Sequence, residues 1–260
     1  MKILFIGDIV GRPGRKAVRE LLPKLVDNYK VEFTIGNAEN AAGGLGINPE
    51  IAWELLGYGI DILTSGNHIW KHKEINDFLD QEKRLLRPAN YPGSSPGKGS
   101  VIFESLSGLK IGVINLEGRV FMKNLDDPFR VSLKEIEGFA GKTKIIIVDI
   151  HAEATSEKQA LGVYLDGKVS AVVGTHTHVQ TADDKILPGG TAYITDIGMT
   201  GPLDSVIGIK KEVAIEKFLT QRPERFVVAK GGVRIQGVVL EIDPETGKGL
   251  SIERFNVALG

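Results

Sequence analysis

Residues 169–178 read VSAVVGTHTH and residues 144–151 read KIIIVDIH; in each, a short apolar, β-branched run ends on histidine. Runs of this length rich in Ile and Val read as strands buried in a parallel sheet. Working outward from them, KILFIG (2–7) runs into Asp8, VEFTIGNA (31–38) into Glu39-Asn40, and GIDILTSG (59–66) into Asn67-His68. Open α/β sheets bind ligands in the crevice beyond the carboxyl ends of their strands. Five polar strand ends, far apart in sequence, are therefore expected to converge on one point. Four of the five histidines fall in them.

The remaining pattern extends this reading. Further strands are expected at 100–104, 110–115, 191–195, 226–229, 233–242 and 250–256, and helices at about 14–28, 49–57, 72–82, 155–166 and 210–221. Asn48-Pro49-Glu50 reads as a helix start, with Asn as cap and Pro in the first turn. The first third alternates strand and helix, which implies a right-handed parallel sheet. The last third does not: IQGVVLEID, PETGKG and LSIERF read as a hairpin closed by Pro and Gly. The expected fold class is α/β, with two packed mixed β-sheets flanked by helices in one domain spanning 1–260. The Pro/Gly/Ser-rich stretch RPANYPGSSPGKGS (87–100) reads as a surface loop inside that domain.

Bulk properties exclude several classes. The chain has 260 residues, 42% of them hydrophobic, enough for a sizeable core. A net charge of −1 supplies no global basic field for duplex nucleic acid or for a membrane surface. With no cysteine, disulfides, thiolate-bound zinc and iron–sulfur clusters are ruled out. The leading MKILFIGD is cut by Asp8 too early for a secretory segment, and no run approaches a membrane span, so a cytoplasmic protein is expected.

The strand-end residues differ in what they offer. His176 and His178, two apart just past a strand, can turn both imidazoles to one side, with Gly174 and Thr175 letting the backbone turn. The Glu39 carboxylate can bridge two cations about 3.5–4 Å apart, as in two-metal hydrolases. Asn67 offers an amide oxygen, and His68 a proton donor. Taken singly, Asp8 reads as a helix cap, His151 as a core histidine and the 176–178 pair as loop histidines. Their coincidence at matching strand ends is what favours a site. His72 reads as a surface residue. Asp149, on the opposite face from Ile150, reads as a non-ligand. The segment NLEGRVFMKNLDDPF (115–129), with Arg119, Phe121, Met122 and Phe129, reads as a lid or as ordinary packing, with packing preferred. Thr200 is a further lining candidate. GDIVGRPG lacks the spacing of a dinucleotide loop or a P-loop.

In this order, Gly7-Asp8, Glu39-Asn40, Gly66-Asn67-His68, His151 and Gly174-Thr175-His176-Thr177-His178 resemble the calcineurin-like metallophosphoesterase superfamily. Within it, GDIVGRPGR, NAENAAGGLGI, SGNHIW, HAEATSEK, GTHTHVQTAD and TDIGMTGP are similar to the YmdB-like branch of cyclic-nucleotide phosphodiesterases. The departures from the broad superfamily are shared with that branch: Val10 in place of a histidine, Glu39 in place of the bridging Asp, and Ile69 in place of the acid that orients His68. The resemblance implies a four-layer α-β-β-α sandwich. It also implies Asp8, Glu39, Asn40 and His178 on one metal, Glu39, Asn67, His151 and His176 on a second, and His68 as general acid. The cofactors so implied are two divalent metal ions, iron or manganese, that activate hydroxide. The implied substrate is a small phosphodiester such as a 2′,3′-cyclic nucleotide, with no duplex nucleic acid, no membrane and room for homo-oligomers. The alternatives are a nucleotide-sensing regulatory protein with residual hydrolysis, and a metal amidohydrolase. The second is disfavoured because such enzymes carry their HxH after the first strand of a barrel.

Overall fold

A computed structural model describes every residue except Leu106. In chain order the first elements are β1 (Lys2–Ile6), β2 (Asp8–Ile9), α1 (Gly11–Tyr29), β3 (Phe33–Asn37), α2 (Pro49–Gly57) and β4 (Ile62–Thr64). A 3-10 turn at Ile69–Lys71 leads to α3 (Ile75–Gln81). Then follow β5 (Ser100–Glu104), β6 (Lys110–Glu117), α4 (Pro128–Phe139), β7 (Ile145–His151), α5 (Thr155–Tyr164), β8 (Ala171–Thr175), β9 (Lys185–Ile186) and β10 (Ala192–Ile194). The chain closes with β11 (Met199–Pro202), α6 (Lys211–Thr220), β12 (Val233–Ile242) and β13 (Gly249–Ala258).

Among the described residues these strands form two mixed sheets. One has the order β2-β11-β12-β1-β3-β4, with β13 paired along β12, and the other the order β5-β6-β7-β8-β10-β9. β1, β3 and β4 run parallel, as do β6, β7 and β8, so their carboxyl ends share one rim. The expected carboxyl-terminal hairpin is present, but β12 inserts antiparallel beside β1 and so completes the first sheet.

The period of two in the strands sets the layers. In β1, Ile3 and Phe5 enter the core between the sheets, together with Ile145 and Ile147 of β7. Leu4 and Ile6 face the opposite way, onto Val18, Leu22 and Leu55 of α1 and α2. On the far side Ile146, Val148 and Ile150 pack under Leu161 of α5 and Phe139 of α4. All four β1 side chains are fully buried, and each contributes roughly 1.5–3 kcal/mol of transfer free energy. The result is the expected helix–sheet–sheet–helix sandwich.

Several elements differ from expectation. α4 stands where no helix is expected, and its start lies inside the segment read as a 115–129 loop. Asp127 caps it by accepting from the Phe129 N–H at 2.9 Å, with Pro128 in the first turn. The expected helix at 72–82 is shortened to α3, and 226–229 keeps only a single bridge, Val228 to Ile209. β9 and β11, each of a few residues, are too short to leave a periodic signal.

Candidate metal centre

The rim gathers all eight strand-end residues. Asp8 begins β2 just after β1, and Glu39-Asn40 and Asn67-His68 lie just past β3 and β4. His151 closes β7, while His176 and His178 follow β8. The sheets can bring them so close because glycines stand between them. A Cβ on Gly66 would sit 2.1 Å from the His151 ring, and one on Gly174 would sit 1.8 Å from the Thr195 carbonyl. Gly174 therefore serves close packing, not the turn expected of it. The turn is made by the histidines, with φ of +98° at His176 and +66° at His178. Such left-handed backbone is uncommon for non-glycine residues and concentrates at functional sites.

Asp196 holds that strained loop in place. Its Oδ2 accepts from the Thr177 N–H at 3.0 Å, the Thr177 hydroxyl at 2.7 Å and the buried Lys158 ammonium at 2.8 Å. Neither Asp196 nor Lys158 is given a role by the sequence patterns, although TDIG is among the matching stretches.

The inward-facing atoms form two groups. In the first, His178 Nε2 is 3.0 Å from Asn40 Nδ2 and 3.7 Å from Asp8 Oδ1. In the second, His151 Nε2 is 3.0 Å from His176 Nδ1 and 3.7 Å from Glu39 Oε1. Glu39 lies between them, its Oε2 accepting from the Gly66 N–H at 2.5 Å and its Oε1 from the His68 N–H at 2.6 Å. Glu39 Oε1 is also 2.9 Å from His68 Nδ1, and Asn40 Oδ1 is 3.2 Å from the same nitrogen. These two oxygens take the orienting role left open by Ile69.

Outer partners assign the tautomers. His178 Nδ1 donates to the Ile207 carbonyl at 2.9 Å, which leaves Nε2 as a lone pair. His151 Nδ1 donates to the Thr175 hydroxyl at 2.9 Å, which itself donates to Asp149 Oδ1 at 2.8 Å. Asp149 also accepts from Thr64 Oγ1 at 2.6 Å and Asn37 Nδ2 at 3.0 Å. It does lie opposite Ile150, on the face that carries His151, and works behind that ring. His176 Nε2 faces Glu153 Oε2 at 3.1 Å. With its proton there, the lone pairs of His151 and His176 converge, their nitrogens 3.0 Å apart.

Electrostatics point the same way. Burial pushes the pKa values of His151, His176 and His178 below the ordinary histidine value, so the imidazoles are neutral, as cation binding requires. Burial first, then the charges of Asp196, Asp149 and Glu39, push Asp8 well above the usual carboxylate range. Asp8 Oδ1 and Asn67 Oδ1 are buried without a hydrogen-bond partner. An unpaired carboxylate oxygen amid neutral nitrogen donors fits a cation, and nitrogen and oxygen donors without sulfur suit first-row divalent ions. Among the described residues no three His, Asp or Glu side chains stand as an open cage. Their inward atoms close in on one another instead, and two of the prospective donors are asparagines.

The other candidates fall outside this cluster. Thr200 is buried with its hydroxyl on the Gln236 backbone. Arg119, exposed, pairs with Asp127 at 3.4 Å, Met122 and Phe129 pack against the helix-side core, and Phe121 projects into solvent. His72 is half-buried, with Nε2 on the Leu45 carbonyl at 3.1 Å. One rim residue goes unmarked in the sequence patterns. Glu117, at the end of β6 and in register with His151, is fully buried with neither carboxylate oxygen hydrogen-bonded. Its signal is present in the INLEG stretch, an acid directly after an apolar run.

A sandwich of two mixed sheets with Asp, Glu, Asn and His at one rim defines the metallophosphoesterase class of fold. The chain belongs to the YmdB-like family, whose model matches residues 4–255. It is 54% identical over 255 residues to a 2′,3′-cyclic-nucleotide 2′-phosphodiesterase of Bacillus subtilis, covering 98% of this chain and 96% of that protein. A putative phosphatase/phosphodiesterase of Mycoplasma genitalium is 38% identical over 100% of this chain and 94% of its own length. Among solved structures, a hypothetical protein from Thermus thermophilus superposes with a TM-score of 0.93 at 42% identity, over 100% of both chains. A phosphatase from Mycoplasma pneumoniae gives 0.93 at 37% identity, over 99% of this chain and 93% of the other.

Proposed function

We propose that this chain, as one domain over 1–260, is a phosphodiesterase that hydrolyses 2′,3′-cyclic nucleotides at the 2′ ester, using two divalent cations, iron or manganese. The observation that carries the reading is the unpartnered Asp8 Oδ1, facing His178 and His151 in a buried site. The full-length relative that acts on this class of ester supports the choice of substrate. In this reading Asp8, Glu39, Asn40 and His178 hold one cation, and Glu39, Asn67, His151 and His176 the other. When bound, the cations supply Lewis acidity toward phosphoryl oxygen and a water of lowered pKa.

The chain's own residues do the rest. His68 is about a quarter exposed, close to His176 at 22% and well above His151 at 0% and His178 at 7%, so it can reach a substrate. With Nδ1–H turned to Glu39 and Asn40, His68 presents Nε2 outward. A proton there is delivered to the departing 2′ oxygen, a step typically worth about 10²–10⁴-fold. No helix among the described residues is long and apolar enough to cross a membrane. A cytoplasmic location goes with the reading, since RNA, the source of such esters, is intracellular.

The test is hydrolysis of 2′,3′-cyclic AMP by protein purified without chelator, with metal content from elemental analysis. The expected result is about two ions per chain and nucleoside 3′-phosphate as the product. Metal-free protein that stays inert with both manganese and ferrous iron overturns the proposal.

A further inference from the structure

The loop Ala41–Gly46, which follows Asn40, has a basic cleft on each side. One, of about 530 Å³, carries Arg12, Lys16 and Lys230 over an apolar floor that includes Val228, Val233 and Leu259. The other, of about 380 Å³, carries Lys71 and Arg225 beside Phe226. No carboxylate lines either cleft. Among the described residues Lys16 has only a loose pair with Glu20 at 3.9 Å, while exposed Arg12 and Lys230 are drawn into no ion pair.

Both walls of the larger cleft are tied by backbone hydrogen bonds to residues of the candidate metal centre or to their direct neighbours. Gly11 and Gly44 each donate their N–H to the Asn40 carbonyl, at 2.9 and 3.1 Å, and the lining residues Arg12 and Gly43 are their neighbours. On the opposite wall the Ala229 N–H bonds the Gly208 carbonyl at 2.9 Å, and the adjacent Ile207 carbonyl receives His178 Nδ1. Between the clefts Gly43 is an exposed lip, with φ of +63° and nothing within 4 Å of where its Cβ would be.

A cyclic mononucleotide has a single phosphate, and that phosphate is the reacting group. It brings no second negative charge for Arg12, Lys16 and Lys230. A strand does: its next phosphate can meet those cations while its sugar and base cover Val228, Val233 and Leu259. Free cations along a backbone path with apolar surface beside them are how single strands are held without sequence preference. Resting on the phosphodiesterase reading, we propose that the two clefts are subsites for the nucleotides preceding the reacting one. The substrate class is then an oligoribonucleotide ending in a 2′,3′-cyclic phosphate.

The test compares wild type with the Arg12→Ala/Lys230→Ala double variant, both loaded with manganese. A trinucleotide ending in a 2′,3′-cyclic phosphate is expected to exceed 2′,3′-cyclic AMP in kcat/KM by about tenfold or more at low salt. The double variant is expected to lose that preference while still turning over the mononucleotide at the wild-type rate. In parallel, fluorescence anisotropy with a 5′-labelled trinucleotide 3′-phosphate reads binding without turnover. There the slope of log affinity against log salt is expected to fall by about 0.7 for each phosphate that the variant no longer neutralises. Equal affinity and salt slope in both proteins overturn the proposal, as does an equal loss for mononucleotide and trinucleotide. Absence of turnover on both substrates refutes the phosphodiesterase reading instead, and the anisotropy still decides the clefts.

Discussion

Replacing Asp8 by Asn is expected to stabilise the metal-free protein and to weaken its response to metal. The Asp8 carboxylate is fully buried; Oδ2 accepts from the His176 N–H at 3.2 Å and Oδ1 has no partner. Its pKa is raised by burial and by neighbouring acids. The folded protein thus holds the Asp8 proton more tightly than the unfolded chain does. The site is least costly below the unfolded carboxylate value and grows costlier as pH rises toward the folded one. The Asp8→Asn side chain keeps an acceptor for His176 and turns an uncharged amide toward His178 Nε2, which lies 3.7 Å from Oδ1 of the native carboxylate. A buried polar atom without a partner costs about 1–3 kcal/mol, more when charged. In chelator at pH 7.5 the variant should therefore gain at least that range, or roughly 2–6 °C in Tm for a chain of this size. With manganese at about a thousand times its Kd, each bound ion should stabilise by about 4.1 kcal/mol; wild type should bind two and the variant, without the Asp8 carboxylate, one, which reverses the order. Calorimetry with and without chelator reads both effects. A variant less stable than wild type in chelator refutes the reasoning about Oδ1.

Three further outcomes follow from the same geometry. His68→Ala should keep its metal content by elemental analysis yet lose about 10²–10⁴-fold in kcat on a cyclic nucleotide; an unchanged kcat removes His68 from the chemistry. Thr175→Val cuts the link from His151 Nδ1 to Asp149, so metal affinity measured by competition with a chelator should fall by about 10–100-fold, and an unaltered affinity shows that the link orients nothing. Burial raises the Glu117 pKa from 4.5 to about 7, so metal-free wild type should lose stability as pH climbs through that window, by at most about 3 kcal/mol. Denaturant titrations of Glu117→Gln should lack this part of the decline, and identical pH curves for the two proteins contradict it.

The strands leading to Asp8, Glu39, Asn67, His151 and His176 are legible because a buried strand announces itself by its apolar, β-branched composition, and a residue able to bind a cation stands just past or at its end. Ligand-rich rims are visible in one dimension for the same reason: the sheet supplies the convergence, and the sequence has only to mark the ends. α4 escapes because its apolar positions, Phe129, Leu133, Ile136 and Phe139, are diluted by Arg130, Lys134 and Glu135, although Asp127-Pro128 is a usable start signal. Thr200 misleads because it lies in TDIGMTGP, one of the stretches similar to the YmdB-like branch, whereas pairing of β11 with β2 and β12 turns its hydroxyl onto Gln236. The strain at His176 and His178 cannot be read, since their backbone angles depend on Asp196, which lies beyond β9 and β10 in the chain. Nor can the Thr175–Asp149 link, which exists only because adjacent parallel strands bring His151 and Thr175 into register.

The buried charges at the rim bear on how many cations the site is built for. Asp8, Glu39, Glu117, Asp149 and Asp196 are all buried there, and Lys158 is the buried ammonium among them. Lys158 and Asp196 lie 2.8 Å apart and cancel. Of the acids that face the cluster four carboxyl groups remain, for a formal charge of −4; Glu157, also buried, is turned onto the Arg119 and Val120 N–H. Protein alone eases this by raising pKa values, with Asp149 pushed up to about 6 and Glu117 to about 7. A single divalent ion would leave two negative charges in a region that burial makes hostile to them; two such ions carry the balancing charge. The fold tolerates the unbalanced rim because the core between the sheets and the helix-packed faces are apolar and fully buried, so the cost is confined to the strand ends. Charge balance thus supports the proposal of two cations, independently of any ligand count. A metal titration that saturates at one ion per chain, with Asp8, Glu39, Asp149 and Glu117 intact, contradicts it.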